Sequence, residues 1–215
     1  MARVQNTLIG RSSGSVGGTT FTTWKGINVL KAKAVTVANP QTLPQRQQRS
    51  RLAFMVNIYR TIAASLVIGF RSLAIEKSPY NAFMSTNIIA ATSVDASAVT
   101  TLVPANFQIS KGTIGAVAQS GGSPSATNGS PTVQISWSTT LPLGGADNDL
   151  INMAVYNETQ DNWGINIGTD VRVAGTSTVT MPTNVVNGDT LHSYFACSSQ
   201  SDNSVSDTSY ATVTI

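Results

Sequence analysis

Few side chains in this sequence could carry out acid-base or nucleophilic chemistry. His192 is the only histidine and Cys197 the only cysteine among 215 residues. Asp189 lies three positions before His192, so a Ser-His-Asp arrangement with one of the many serines has to be considered. His192 falls in an alternating run, Leu191-His192-Ser193-Tyr194, which is typical of a β-strand. We therefore expect His192 to hydrogen-bond its strand neighbours, and we expect no hydrolase chemistry.

Two other groups of residues suggest metal or thiol chemistry. Asp147 and Asp149 cluster in the sequence GGADNDL, where several oxygen ligands could meet a calcium ion, but the glutamate spacing of an EF-hand is missing. We expect an acidic turn that leads into a strand. Cys197 has no cationic neighbour in sequence, so we expect a small core residue. The sequence thus predicts no enzyme, no metal site and no cofactor.

Charge is distributed unevenly along the chain. Residues 1–77 hold eleven of the thirteen Lys and Arg residues and one acid, whereas residues 78–215 hold two basic residues and nine acids. Such asymmetry indicates one of two arrangements. Either the basic half faces nucleic acid or an acidic surface, or two copies of the chain associate head to tail, with the basic half of one against the acidic half of the other. A solvated basic surface without a partner is the third reading.

One long helix, residues 43–75, stands out from a sequence otherwise rich in strand and turn residues. Thr42 and Gln45 have capping-box spacing, and Pro44 falls in the first turn, where its missing N–H is tolerated. Apolar residues then recur every three or four positions, which predicts one apolar stripe. We expect this helix to project and to form an oligomer interface. The predicted interface residues are Leu52, Met55, Val56, Tyr59, Ile62, Leu66 and Phe70.

Residues 1–42 read as a basic hairpin arm. Thr19 to Trp24 and Ile27 to Val37 are rich in β-branched residues and are joined by a turn at Lys25-Gly26. Alternation places two lysines on one face of the second strand. Together with the arginines of the first helical turns they form a predicted basic contact face, which consists of Lys31, Lys33, Arg46, Arg49 and Arg51. Any nucleic-acid contact of this face should be electrostatic and nonspecific.

The remainder reads as β-structure. We assign residues 76–131 to connecting strands and a Gly/Ser linker. Residues 132–215 contain regularly spaced β-rich runs bounded by Gly, Asn, Asp or Pro, a pattern typical of an immunoglobulin-like β-sandwich. A strand from residues 106–118 is a candidate addition to this sandwich. The predicted fold class is mainly β (α+β).

The sequence favours a cytoplasmic site of synthesis. MARVQNTLIG lacks the apolar run of a signal peptide. The longest uncharged apolar stretch, from Thr61 to Phe70, is shorter than the roughly 20 residues that span a bilayer. We therefore expect no membrane partner.

Short motifs at both ends of the chain occur in an order that resembles a family of proteins of unknown function from the Bacteroidetes and their phages. The motifs are G-S-V-G, T-F-T-T-W-K-G, V-L-K-A-K and N-P-Q-T in the first part, and V-Q-I-S-W, A-V-Y-N, G-D-T-L-H-S-Y and S-V-S-D-T-S-Y in the second. The resemblance implies no catalytic residues. It implies that a protein similar to this one could serve as a particle component in tailed phages of the crAss-like group.

Three functions from different classes follow. The first is a non-catalytic structural subunit of a large assembly, such as a phage capsid, connector or tail, that oligomerises through its N-terminal half and contacts other virion proteins. The second is a surface-exposed module that binds glycan or protein. The third is a nonspecific nucleic-acid-binding protein. The absent signal peptide argues against the second function, and the absence of a recognition motif argues against the third. We expect the first function, without a small-molecule substrate.

Overall fold

The chain divides into two compact units, Met1–Thr42 and Leu43–Ile215. The structure is a computed structural model that describes residues 2–4, 13–34, 36, 39–119 and 124–215. The predicted division at residue 131 is not a boundary in it. Residues 132–215 belong to the same unit as the helix and the connecting strands, because one face of their central sheet packs against the helices of residues 43–87.

The first unit is a single antiparallel sheet. Its strands are β1 (Ala2–Val4), β2 (Gly14–Val16), β3 (Thr19–Trp24) and β4 (Ile27–Ala32), in the spatial order β1-β4-β3-β2. The predicted hairpin is confirmed, since Thr19 pairs with Ala32 and Trp24 with Ile27. Lys25 and Gly26 form its two-residue turn, both with positive φ, as the twist of a tight hairpin requires. The predicted continuation of the second strand to Val35 and Val37 lies outside the described residues.

The part of the first unit whose burial is described has almost no interior. Among residues 13–34, 36 and 39–42 only Val29 is buried, with 8% of its surface exposed. Val16 and Trp24 are 70% and 63% exposed. A sheet normally buries at least one face against another layer. Taken by themselves, these residues do not form an apolar core that would stabilise the sheet.

The second unit begins with two helices, α1 (Leu43–Gly69) and α2 (Pro79–Asn87). The helix was predicted to extend to residue 75, but α1 ends at Gly69. A Cβ at that position would lie 2.0 Å from the carbonyl oxygen of Ile109, so the close backbone approach requires glycine. Helix α1 is kinked at Ile62, where φ is −118° and ψ is 27°. Ser78 caps α2 by accepting a hydrogen bond from the backbone N–H of Asn81.

Three antiparallel sheets complete the second unit. The strands are β5 (Thr92–Val94), β6 (Thr100–Leu102), β7 (Ser125–Ala126), β8 (Thr132–Ser136), β9 (Leu150–Asn157), β10 (Asn162–Val171), β11 (Thr176–Thr180), β12 (Thr190–Ser198) and β13 (Ser209–Thr214). Strands β5 and β6 form a small sheet, and the larger sheets have the orders β11-β8-β7 and β10-β9-β12-β13. The predicted fold class, mainly β with α+β content, is confirmed.

The four-stranded sheet β10-β9-β12-β13 forms the middle layer. Alternate residues of β9 point to opposite sides, as the period of a strand requires. Met153 and Val155 pack with Val133 of β8 and Val179 of β11 in one apolar cluster. Tyr156 and Ala154 join the other cluster, which contains the buried side of α1 and part of α2. The sheet therefore separates a sandwich core from a core beneath the helices.

The prediction that the α1 stripe forms an oligomer interface is wrong for most of its residues. Met55, Ile62, Leu66 and Phe70 are all 0% exposed and pack in the core of their own unit. Tyr59 also packs against that core, with its ring 4.9 Å from that of Tyr80. The residues left accessible are Leu52, which is 47% exposed, and Val56, which is half-buried. Instead of projecting, the helix covers the apolar face of the middle sheet.

Residues 106–118 run beside the sheets without forming the predicted extra strand. Phe107 and Ile109 are buried, but the backbone around them is held by side chains. The N–H of Gln108 donates to Asn87 Oδ1 at 2.8 Å, and the N–H of Ile109 donates to Thr208 Oγ1 at 3.0 Å. These bonds replace those that a neighbouring strand would make at residues 108 and 109. Further along the segment, Ile114 forms a single parallel bridge with Ser206, which does not extend into a strand.

Helix α1 is long and apolar enough to cross a membrane, judged by its length and composition. The stretch from Thr61 to Phe70 that was considered in the sequence is only part of this helix. A core helix of a water-soluble protein meets the same criterion. In this chain one side of α1 lies against the middle sheet and α2. Its apolar character is used for packing within the unit.

Candidate functional site

A cleft of about 400 Å³ lies between α1 and the turn that joins β9 to β10. Its helix wall carries Phe54, Asn57 and Thr61, which lie three or four residues apart on one side of α1. The opposite wall is formed by the β9–β10 turn and the start of β10, including Asp161, Asn162 and Trp163. The cleft thus combines aromatic rings with amide, hydroxyl and carboxylate groups.

Cross-strand pairing positions the aromatic part of the cleft. Trp163 lies directly opposite Tyr156 in the β9–β10 ladder, and their rings stack with centroids 4.7 Å apart. The phenol of Tyr156 donates to Asp161 Oδ1 at 3.0 Å. Burial, reinforced by this carboxylate acceptor, raises the pKa of Tyr156 well above its usual value. The phenol is therefore a neutral hydrogen-bond donor across the physiological pH range.

The polar rim of the cleft contains an unsatisfied hydrogen-bond acceptor. The amide nitrogen of Asn162 donates to Thr183 Oγ1 at 2.7 Å and to Gln160 Oε1 at 3.3 Å. The amide oxygen of Asn162 is buried and accepts no hydrogen bond within the chain. Such an unpaired buried oxygen is costly, but because almost none of its surface is accessible, a ligand in the cleft would not reach it.

His192 hydrogen-bonds its neighbours, as predicted. Its Nδ1 lies 2.9 Å from the hydroxyl of Tyr210, and its Nε2 lies 3.1 Å from Glu158 Oε2. The ring stacks between Tyr156 and Tyr210. Asp189 has other partners, since its Oδ2 accepts bonds from the Asn157 amide and the Val186 N–H. The structure therefore does not build a Ser-His-Asp triad from His192 and Asp189.

One serine does have the Gly-x-Ser-x-Gly spacing that exposes nucleophilic serines in hydrolases. It is Ser12, between Gly10 and Gly14. Ser12 lies outside the described residues. The segment that follows is strand β2, which begins at Gly14, whereas the hydrolase motif leads into a helix. The spacing alone therefore supports no catalytic assignment.

The acidic loop before β9 is a structural turn. Asp149 is 2% exposed, and its Oδ2 accepts a hydrogen bond from the N–H of Ala146 at 2.8 Å. The loop rests on Arg172, which is completely buried and donates to the carbonyl oxygens of Ala146 and Thr140. In the described part of the chain no three His, Cys, Asp or Glu side chains cluster to hold a metal ion. Asp147 and Asp149 thus lie in a loop that Arg172 organises.

Cys197 lies in the sandwich core, as predicted. It is 1% exposed, and burial raises its pKa to about 12 despite the opposing effect of nearby Arg172. The folded chain favours the protonated thiol over the thiolate. The protonated Cys197 therefore contributes to the free energy of unfolding below about pH 9, and this contribution is lost as the pH rises towards 12. The thiol is unreactive in the folded state at neutral pH.

The predicted basic face is split between the two units. Lys31 and Lys33 are exposed in the first unit. Arg46 and Arg49 are exposed on the first turns of α1, and Arg51 is half-buried. The structure does not establish one continuous surface from these five residues.

Sequence reasoning missed the cleft and Arg172. Tyr156 could be expected to lie in or beside the core from its strand position, but the cleft also needs the pairing register that brings Trp163 beside it. Arg172 gives no local signal, because the carbonyls that it binds lie 26 and 32 residues away in sequence.

Comparison with known families supports a coarse assignment. The model of a family described as a family of unknown function, DUF6266, matches residues 11–212, which is most of the chain. No curated protein matches the sequence. The match neither names an activity nor assigns a functional residue.

Proposed function

We propose that this chain, which belongs to the DUF6266 family of unknown function, is a non-catalytic structural subunit of a large assembly. The body of the subunit is the second unit, with its two apolar cores and the sandwich that we expect to be immunoglobulin-like. The assembly element is the first unit. This replaces the helix stripe, which is buried, as the expected interface.

The observation that carries the proposal is the exposure of the sheet within residues 13–34, where only Val29 is buried. Thr22, Trp24, Val29 and Lys31 line a groove of about 390 Å³ on one face of this sheet. Trp24 is 63% exposed. Exposed tryptophan on a sheet that buries almost nothing is typical of an interface residue, because tryptophan contributes strongly to binding when a partner covers it.

Charge indicates that the partner is a second copy of the chain. Residues 1–42 contain five basic residues and no acid, whereas residues 43–215 contain eight basic and ten acidic residues. Docking the first unit of one copy on the second unit of another brings opposite charges together. Repeating this head-to-tail contact produces a ring or a filament.

Trp24→Glu is expected to weaken self-association by about 30-fold or more, which is the effect of losing an interface residue worth about 2 kcal/mol. Sedimentation velocity over a concentration series measures this change. Trp24→Phe is the matched control, because it retains an aromatic apolar side chain at the same position and should weaken association far less than W24E does. Equal association of W24E and wild type would contradict the proposed interface.

We further propose that the assembly is the particle of a tailed phage of the crAss-like group, in which the subunit contacts other virion proteins. The support is the resemblance of the N- and C-terminal motifs to proteins from the Bacteroidetes and their phages. Mass spectrometry of purified particles, from a phage that encodes this chain, is expected to detect it at the copy number of a repeated structural protein. Its absence from mature particles would contradict the virion assignment.

A further inference from the structure

We propose that the cleft between α1 and the β9–β10 turn binds a neutral saccharide. The cleft belongs to the second unit, so this inference does not depend on the proposed assembly through the first unit. At about 400 Å³ it falls at the lower end of the size range of ligand pockets and suits one or two sugar rings.

The ligand has to bring hydrogen-bond donors. The carboxylate of Asp161, which lines the cleft, receives one bond from the Tyr156 hydroxyl and has further acceptor capacity. On the opposite wall, Asn57 and Thr61 are exposed on α1 and present an amide and a hydroxyl. Sugar hydroxyls, each of which can donate and accept, match this mixed set.

The ligand also needs an apolar face. Phe54, Tyr156 and Trp163 supply aromatic surface to the cleft. The C–H faces of a pyranose ring provide matching apolar area, while its edges carry hydroxyls. A purely apolar ligand would cover the Asp161 carboxylate without supplying it a hydrogen-bond donor.

The two main competing classes of ligand are anions and organic cations, and the lining of the cleft argues against both. The residues that line the cleft include one charged side chain, Asp161, and no Lys or Arg, so a phosphate or carboxylate ligand would meet repulsion without a counter-charge. An organic cation could bind Asp161 and the aromatic rings. It would, however, leave the amide and hydroxyl groups of Asn57 and Thr61 without a role, which favours the saccharide.

The test is calorimetric titration of the full chain with neutral sugars at millimolar concentration. The probes are glucose, galactose, mannose and N-acetylglucosamine, with maltose, cellobiose, lactose and chitobiose as the two-ring set. Tetramethylammonium chloride serves as the cation probe. At least one sugar is expected to bind and to change tryptophan fluorescence, because Trp163 lines the cleft.

Two conservative variants then locate the site. Asn57→Ala removes an exposed amide from the helix wall and is expected to weaken sugar binding about fivefold, the effect of one neutral hydrogen bond. Asp161→Asn removes a charged acceptor and is expected to weaken binding about tenfold or more. Asparagine tolerates the left-handed backbone at this position, where φ is 49°, so the turn should be retained.

Gln48→Ala is the matched control, because Gln48 is exposed on the same helix outside the cleft. Its sugar affinity should equal that of wild type. The proposal is overturned if no sugar binds, if only tetramethylammonium binds, or if N57A and D161N bind sugar as well as Q48A does. Circular dichroism of each variant confirms that a loss of binding is not a loss of fold.

Discussion

Replacing Phe107 with alanine is expected to lower the free energy of unfolding by about 3–5 kcal/mol, the usual cost of deleting a buried aromatic ring. Phe107 is 1% exposed. Its ring centroid lies 5.2 Å from that of Tyr194, 5.4 Å from that of Trp163 and 6.0 Å from that of Phe83. The ring therefore joins α2 to two strands of the middle sheet, and alanine would leave a cavity among rings that cannot all move to fill it.

Urea denaturation followed by circular dichroism measures this loss. Val99→Ala is the control, since Val99 is 57% exposed and its truncation should change the stability by no more than about 0.5 kcal/mol. A loss below about 1 kcal/mol for F107A would show that the segment around Phe107 can collapse onto the sheet.

Arg172→Met is expected to lower the free energy of unfolding by about 2–4 kcal/mol, because it removes two charge-assisted hydrogen bonds and retains much of the side-chain volume. Arg172 Nε donates to the Ala146 carbonyl at 3.1 Å, and Nη1 donates to the Thr140 carbonyl at 2.9 Å. Replacing both partners of a buried polar pair with apolar groups can leave the stability unchanged. Here, however, the acceptors are backbone carbonyls, which are still present after Arg172 is replaced. The unpaired Thr140 carbonyl should destabilise the loop before β9.

Thermal or urea unfolding of R172M tests this expectation against Arg60→Met, in which an exposed arginine of α1 is changed in the same way. R60M should have the stability of wild type. If R172M were as stable as wild type, the cost of burying the guanidinium would equal the benefit of its hydrogen bonds, and Arg172 would not be the residue that holds the loop.

Local sequence patterns predicted those elements whose signal is local. The start of α1 at Leu43 follows from Pro44 in the first turn, and the first hairpin follows from β-branched runs around Lys25-Gly26. The turn role of Asp149 and the core position of Cys197 likewise follow from their neighbours in sequence.

Long-range pairing determined the features that were mispredicted. An apolar stripe indicates that a helix is covered, but it does not identify the cover. The Met55 side of α1 is covered by strands more than 90 residues later, including Tyr156. Residues 106–118 have strand-like composition, yet Asn87 and Thr208 supply the backbone bonds that a strand partner would supply. The cleft arises from the same pairing, because Trp163 meets Tyr156 only in the β9–β10 register.

The mass of the native full-length chain tests the central claim most directly, namely that the first unit is an assembly element. Native mass spectrometry at micromolar concentration is predicted to show a multiple of the 22.5 kDa chain mass, and W24E is predicted to reduce it. A 22.5 kDa monomer at every concentration tested, with the β3 and β4 amides protected from hydrogen exchange in that monomer, would contradict the claim.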